Sequence, residues 1–260
     1  MKIEILVSTL NDGIENINIS PLFNYLIIHQ TNNNKNYSKT LEKFDTHKIR
    51  YIQSDSIGLS VSRNIAIKNS NADYIWIMDD DVIIDDNAYD NLQSIINSNL
   101  NFDMLVLSHT TLENPNNINV TTKFSRINSF QAMSVSSIDM FIKRSSVVDK
   151  NIAFNEQFGL GSAYPSGEEY LFTIQCLKSG LKILKTNKIF SYHPPIASGH
   201  DFFTTPNKLK AKLYMFRNVY GNCFGTFIYF IFILKKAHIL VPNRKLLQAI
   251  KICTTHENKQ

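Results

Sequence analysis

The sequence predicts an α/β protein, a mixed and mostly parallel sheet flanked by helices, with a basic and hydrophobic helical extension at its C-terminal end. Three observations carry that prediction. Apolar, β-branched runs recur at residues 3–7, 25–28, 49–52, 74–78 and 104–107, with helix-compatible segments between them, which is the spacing of βαβ units. The fourth run, Tyr74-Ile75-Trp76-Ile77-Met78, leads directly into Asp79-Asp80-Asp81. Three carboxylates are thereby delivered to the carboxyl end of a buried strand, where open α/β sheets bind ligands. Finally, the charge is divided: from Pro206 onward ten Lys or Arg stand against one acid, net +9, and the preceding residues hold 17 bases and 21 acids, net −4. We therefore expect a catalytic body over 1–205 and a helical extension over 206–260.

Each element follows from its residues. The N-terminus, Met1-Lys2-Ile3-Glu4-Ile5-Leu6-Val7, carries an acid within its apolar run and reaches Asn11-Asp12-Gly13 at once, so it reads as a first strand and not as a signal peptide. Asn32-Asn33-Asn34 and the Asn-rich segment 113–119, with Pro115, read as surface loops. Gly58-Leu59-Ser60 opens a helix to about Asn69, with Val61 and Ile65 spaced to face the core. After the triplet, Asp85 or Asp86 is expected to cap a helix in which Tyr89, Leu92, Ile95 and Ile96 recur at helical spacing. Residues 138–142 read as a strand, Phe158-Gly159-Leu160-Gly161-Ser162 as a loop, and 167–179 as a helix closed by Gly180.

Composition bounds the rest. With 260 residues, 43% of them hydrophobic, the chain can bury one sizeable core. Cys176, Cys223 and Cys253 are widely spaced and odd in number, which is neither a disulfide framework nor a metal-ligand pattern. The expected location is the cytoplasm, or the inner face of the cell membrane as a peripheral protein. The segment 223–234 is strongly apolar but too short to span a bilayer, and bases flank it on both sides. It fits either a helix lying on an anionic membrane through residues 206–251 or a core helix under the body. Nucleic acid is disfavoured, because the tail holds an uninterrupted apolar run where spaced aromatics and polar contacts would be needed.

The chemistry-bearing residues each admit two readings. Asp79 and Asp81 bracket a hard cation that in turn holds a diphosphate, or form a solvated acidic turn; adjacent carboxylates repel, and Mg²⁺ commonly takes one or two carboxylates plus phosphate oxygens. Arg63-Asn64 contacts a phosphate, ribose or base, or Arg63 is a surface ion-pair residue. Glu168-Glu169 at a helix start supplies a general base, or serves a capping box in which Glu169 reaches back to Ser166, where the helix N-terminus would also lower its pKa. His193, held before Pro194-Pro195, or His200, completes a metal shell or is a polar turn residue.

With these elements in order, the chain resembles the family 2 glycosyltransferases, enzymes of the Rossmann-like GT-A fold. The carrying residues are Val7-Ser8-Thr9-Leu10-Asn11, Gly58-Leu59-Ser60-Val61-Ser62-Arg63-Asn64, Asp79-Asp80-Asp81, Phe158-Gly159-Leu160-Gly161 leading to Gly167-Glu168-Glu169, and Tyr192-His193-Pro194. The resemblance implies an inverting transfer of a sugar from a nucleotide diphosphate to a hydroxyl of a glycan or lipid-linked acceptor, in bacterial surface polysaccharide (capsule or O-antigen) synthesis. It implies Asp79 and Asp81 as the Asp-x-Asp pair at the ribose and a Mn²⁺- or Mg²⁺-bound diphosphate, with Asp80 the less critical middle residue beside the donor and His193 on the metal. Thr9, Asn11, Arg63 and Asn64 would lie around the nucleotide, and Glu169, beside Glu168, would be the base. His29-Gln30-Thr31-Asn32 stands where the family commonly has an acidic base reader, so UDP, TDP and GDP all remain open, a UDP-sugar foremost. A phosphotransferase with an aspartyl nucleophile, or a non-catalytic nucleotide-sugar or membrane module, are the competing readings.

Overall fold

The structure, a computed structural model, describes residues 1–44, 46–111, 122–194 and 201–253. The loop expected at 113–119 and His200 lie outside the described residues. In chain order the elements are β1 (Ile3–Leu10), β2 (Asn24–Gln30), α1 (Ser38–Leu41), β3 (Ile49–Ser54), α2 (Leu59–Asn69), β4 (Tyr74–Asp79), β5 (Ile83–Ile84), α3 (Ala88–Asn97), β6 (Met104–Thr111) and β7 (Phe124–Arg126). There follow β8 (Met140–Lys143), α4 (Arg144–Val148), α5 (Glu168–Lys178), β9 (Ile183–His193), α6 (Pro206–Tyr220), α7 (Asn222–Lys235), α8 (Ala237–Leu240) and α9 (Leu246–Cys253). All five runs read as strands from the sequence are strands.

The strands form one mixed sheet in the order β3-β2-β1-β4-β8-β6-β9-β5, with β7 added beside β9. Strands β3, β2, β1 and β4 run parallel, and β8 enters antiparallel to both β4 and β6. From β1 the chain winds out to β2 and β3 and then returns to place β4 on the other flank of β1. This reversal leaves a crevice outside the carboxyl ends of β1 and β4, the position at which such sheets bind ligands.

The central strands of the sheet are buried on both faces. Alternation along β1 sends Ile3, Ile5 and Val7 to one apolar cluster, shared with Trp76, Leu92 and Phe141, and Leu6 to the opposite one, shared with Ala66, Phe172 and Leu213. Glu4 also points inward, and its carboxylate is held by Arg50 at 2.9 Å and by the Ser70 hydroxyl at 2.6 Å. The second cluster continues into Tyr229, Ile233 and Ile252, so residues 206–253 pack into the same core as the sheet.

Several local expectations are corrected by the packing. The buried face of α2 is Ser60, Ser62, Arg63, Ala66 and Ile67; Ile65 packs against the core as expected, while Val61 is only partly buried. Polar groups turn inward there because partners await them: Ser62 Oγ donates to Ser8 Oγ at 2.9 Å, and Arg63 meets carboxylates. Helix α3 starts at Ala88 with Asn87 preceding it, and neither Asp85 nor Asp86 is its cap. Asp85 is drawn into the sheet instead, its N–H donating to Phe190 O and its Oδ2 accepting from the Tyr192 hydroxyl. Residues 137–139 form a 3₁₀ turn, not the start of a strand. The Trp76 indole N–H donating to Ile138 O at 2.6 Å and the His109–Asp139 bond hold that turn in place.

Candidate active site

The crevice at the ends of β1 and β4 opens into a cavity of about 370 Å³ lined by Thr9, Gln30, Asp79, Asp80, Asp81, Glu169 and His193, among others. The β1–β4 register sets Ser8 opposite Asp79, so Thr9 lies level with the aspartate turn. Thr9 Oγ1 donates to Asp80 Oδ2 at 2.6 Å. Gly13 makes room for this contact, since a Cβ at that position would collide with Asp80 Oδ2 and lie 2.6 Å from Thr9 Oγ1. Burial raises the Asp80 pKa, with Asp79 and Asp81 adding to it and Thr9 opposing.

Asp81 comes to His193 through the sheet. The short β5 pairs antiparallel with β9, setting Ile83 opposite Tyr192, and this draws the end of the triplet to the end of β9. His193 Nε2 stands 3.5 Å from Asp81 Oδ1, a buried atom with no hydrogen bond. His193 Nδ1 lies 2.6 Å from Pro194 O; a carbonyl only accepts, so Nδ1 donates and Nε2 of the neutral ring carries a lone pair. In that neutral form two acceptors face each other, an arrangement that either a shared cation or a proton on Nε2 relieves. Among the described residues no group of three or more His, Cys, Asp or Glu converges as a ready-made metal cage.

Arg63 is not the surface residue its type suggests. It is 1% exposed; its Nη2 donates to Asp79 Oδ1 at 3.0 Å and to Ser137 Oγ at 2.7 Å, and its Nη1 to Glu168 Oε1 at 3.2 Å. Burial works against its charge, but Asp79, Glu169 and Glu168 outweigh that and raise its pKa. The guanidinium thus ties the aspartate turn to the start of α5 from beneath the cavity. Asn64 faces elsewhere, exchanging bonds with the Phe154 backbone at 2.8 and 2.9 Å and with Glu156. Asn11 bonds Asn32 at the rim, 2.6 Å from amide to side-chain oxygen.

The capping box expected at Ser166 is absent: Gly167, at φ 107°, precedes α5, and no side-chain bond caps the helix. Glu169 instead turns to the cavity, while Glu168 is buried against Arg63 with its second oxygen unpartnered. Burial first, then Glu168, pushes the Glu169 pKa up to about 7, opposite to the depression expected from the helix N-terminus alone. The loop before α5 is pinned to α2, with Ser60 Oγ donating to Phe158 O at 2.6 Å and Leu59 N to Leu160 O at 2.9 Å. Gly159, at φ 104°, keeps this loop clear of Glu168, whose Cδ would lie 3.4 Å from a Cβ there.

Several cavity residues were not singled out as site residues from the sequence. Gln30 ends β2 beside β1, donates to Ser56 O at 2.6 Å, and lines the wall where His29 does not, because His29 is fully buried between Tyr51 and Asn11 O. His109 on β6 bonds Asp139 at 3.0 Å, which raises its pKa, and its ring centroid lies 6.3 Å from that of His193. Leu160 lies half-exposed at the mouth. Their position at strand ends was a readable signal for Gln30; His109 depends on a pairing with β9 that only the fold reveals.

A sequence model described as Glycosyl transferase family 2 matches residues 8–143, just over half of the chain. No curated protein sequence matches. Among solved structures, the chain resembles S. aureus TarS at 18% identity and TM-score 0.59, over 84% of this chain and 40% of that one. It resembles S. aureus TarS 1-349 in complex with UDP-GlcNAc at 15% identity and TM-score 0.60, over 84% of this chain and 67% of that one, and TarS 1-349 alone at 13% identity, over 97% and 90%. The chain thus spans less than half of the longest of these. At such identities the likeness is one of fold.

Proposed function

The chain belongs to glycosyl transferase family 2, and on that premise we propose that it is an inverting enzyme taking its sugar from a UDP-linked donor. One observation carries the reading: the aspartate turn and Glu169 face the same cavity, and one buried arginine, paired with Asp79 and with Glu168 next to Glu169, ties the two segments together. UDP and UDP-GlcNAc occupy TarS 1-349 in its solved complexes, and the donor is taken to lie likewise against Thr9, Gln30 and the aspartates here.

In the transfer, Glu169 accepts the proton of the acceptor hydroxyl as its oxygen attacks the anomeric carbon. The bond from that carbon to the diphosphate breaks on the opposite face, its electron pair passing to the phosphate oxygen. A base near pH 7 is matched to this task, because it is half ionised yet basic enough to take the proton. Glu168 and Arg63 orient it. Asp81 and His193, with Asp79, would hold Mn²⁺ or Mg²⁺, whose chemistry when bound is to neutralise the leaving diphosphate. The unpartnered Asp81 Oδ1 facing the His193 lone pair fits that assignment.

The acceptor belongs, in this reading, to surface polysaccharide assembly. The outer face of α7 supports a membrane location: Phe224, Phe227, Phe230, Ile231 and Leu234 are exposed, with Lys235 and Lys236 at the helix end. No helix among the described residues is long and apolar enough to cross a membrane, so the association would be peripheral.

The test is a thermal-shift panel of nucleotide sugars with and without Mn²⁺, followed by NMR of the product anomer. A UDP-sugar should raise the melting temperature in a metal-dependent way, Glu169→Gln should retain binding and lose transfer, and the product should be inverted. Retention of configuration, or full transfer by Glu169→Gln, would overturn the assignment.

A further inference from the structure

A second cavity, of about 590 Å³, shares Asp79 and Glu169 with the first and runs from them to α6 and α7. Its far walls are apolar, built by Met133, Val135, Leu160, Met215, Phe216 and Phe232. It therefore touches the base at one end and the helix bearing the exposed aromatic face at the other.

Into this cavity the middle of α6 projects Lys212. No hydrogen bond or ion pair to Lys212 is formed among the described residues. The charged groups that line the same space are Arg63, Asp79, Glu168 and Glu169. Arg63 pairs with Asp79 and with one oxygen of Glu168, leaving the other Glu168 oxygen unpartnered, and burial holds Glu169 toward its neutral form. Burial likewise lowers the Lys212 pKa, with Glu169 and Glu168 opposing. Lys212 is only partly exposed and presents its ammonium to the cavity with no direct partner, and a perturbed charged group in a cleft is a functional-site candidate.

Resting on the transferase reading above, we propose that this cavity seats the acceptor and that Lys212 binds a phosphoryl group carried near the acceptor hydroxyl. The apolar walls favour a source in which the phosphate is attached to a hydrocarbon chain, entering along Phe216 and Phe232 from the exposed face of α7. A phosphoryl oxygen supplies the acceptor that a lysine lacks here, and apolar surface beside it excludes water from the Glu169 carboxylate during proton transfer. Neither feature is needed to bind the donor, which occupies the other cavity.

The experiment measures binding of geranyl phosphate, inorganic phosphate and geraniol to the full chain by calorimetry, with UDP and Mn²⁺ at saturation so that the donor cavity is filled. Geranyl phosphate should bind the complex, more tightly than either inorganic phosphate or geraniol, and Lys212→Met should weaken it by about tenfold or more, the loss of one charged hydrogen-bond partner. Lys212→Arg should retain it, and UDP binding should be unchanged in both variants, which also reports that they fold. Equal binding by wild type and Lys212→Met, or no binding to wild type, overturns the proposal. So does a Lys212→Met protein whose only change is a shifted acidic limb of donor hydrolysis, which would make Lys212 a partner of Glu169 alone. Failure of UDP to bind wild type is a separate outcome, and defeats the donor assignment whatever geranyl phosphate does.

Discussion

Replacing Arg63 by Met tests the buried junction that joins the two halves of the site. The guanidinium is 1% exposed and donates to Asp79, Glu168 and Ser137, and it lies 5.5 Å from the Phe154 ring centre. Methionine fills most of the volume but leaves Glu168, whose second oxygen is already unpartnered, with no partner at all. Removing one member of a buried ionic group costs roughly 3–5 kcal/mol, because the remaining charge stays buried and unpaired. At about 2–4 °C per kcal/mol for a chain of this size, the melting temperature should fall by roughly 10 °C. The assay is denaturant and thermal unfolding of wild type, Arg63→Met, Glu168→Met and the double variant. Because Glu168 ceases to be a buried charge in the double variant, the cycle should show a coupling of about 2 kcal/mol. A single-variant cost below about 1 kcal/mol, or additivity within about 0.5 kcal/mol, would refute the view that Arg63 holds these carboxylates.

Sugar transfer should rise about tenfold per pH unit at low pH and level off above a midpoint near 7, since the base must be ionised and its pKa is raised to about 7. Glu168→Gln should move that midpoint down, because Glu168 is one of the groups raising it; an unmoved or raised midpoint in a pH–rate profile would contradict the cause given. The same raised pKa stabilises the fold fully only below the ordinary carboxylate range, so this contribution should fade as pH rises toward and through 7, and Glu169→Gln should flatten unfolding free energy over that window. Asp81→Asn and His193→Ala should each raise the Mn²⁺ concentration for half-maximal activity by about tenfold or more, the loss of a ligand worth at least about 1.4 kcal/mol; unchanged metal titrations would remove them from the shell. Gly13→Ala should cost about 1–3 kcal/mol of stability and weaken UDP binding, because its methyl displaces the Thr9–Asp80 contact; a neutral result by melting and calorimetry would show that Asp80 has room to move.

Much of the architecture was legible from local pattern. Strands β1, β2, β4 and β6 are apolar runs that need burial on both faces, and the acidic turn follows β4 by chain connectivity alone, so Asp79 to Asp81 had to arrive at a strand end. Of the strand expected at 138–142, residues 140–142 lie in β8, whereas two long-range bonds, Trp76 to Ile138 and His109 to Asp139, hold 137–139 in a 3₁₀ turn that the residues alone do not specify. Helix α2 kept its limits but buried a partly polar face, since buried partners on β1 and β4 reward Ser62 and Arg63 for turning inward.

What the sequence by itself determined is an α/β body with carboxylates at the carboxyl end of its fourth strand, because hydrophobic period and connectivity are local properties. Tertiary structure decided the electrical character of the site. Whether Glu169 caps its helix or faces the cavity, whether Arg63 meets solvent or three buried partners, and whether Asp81 finds His193 all depend on groups brought together from β4, β5, α2, α5 and β9. Charge interactions strengthen steeply as water is excluded, and which atoms lose water is settled only when distant segments pack.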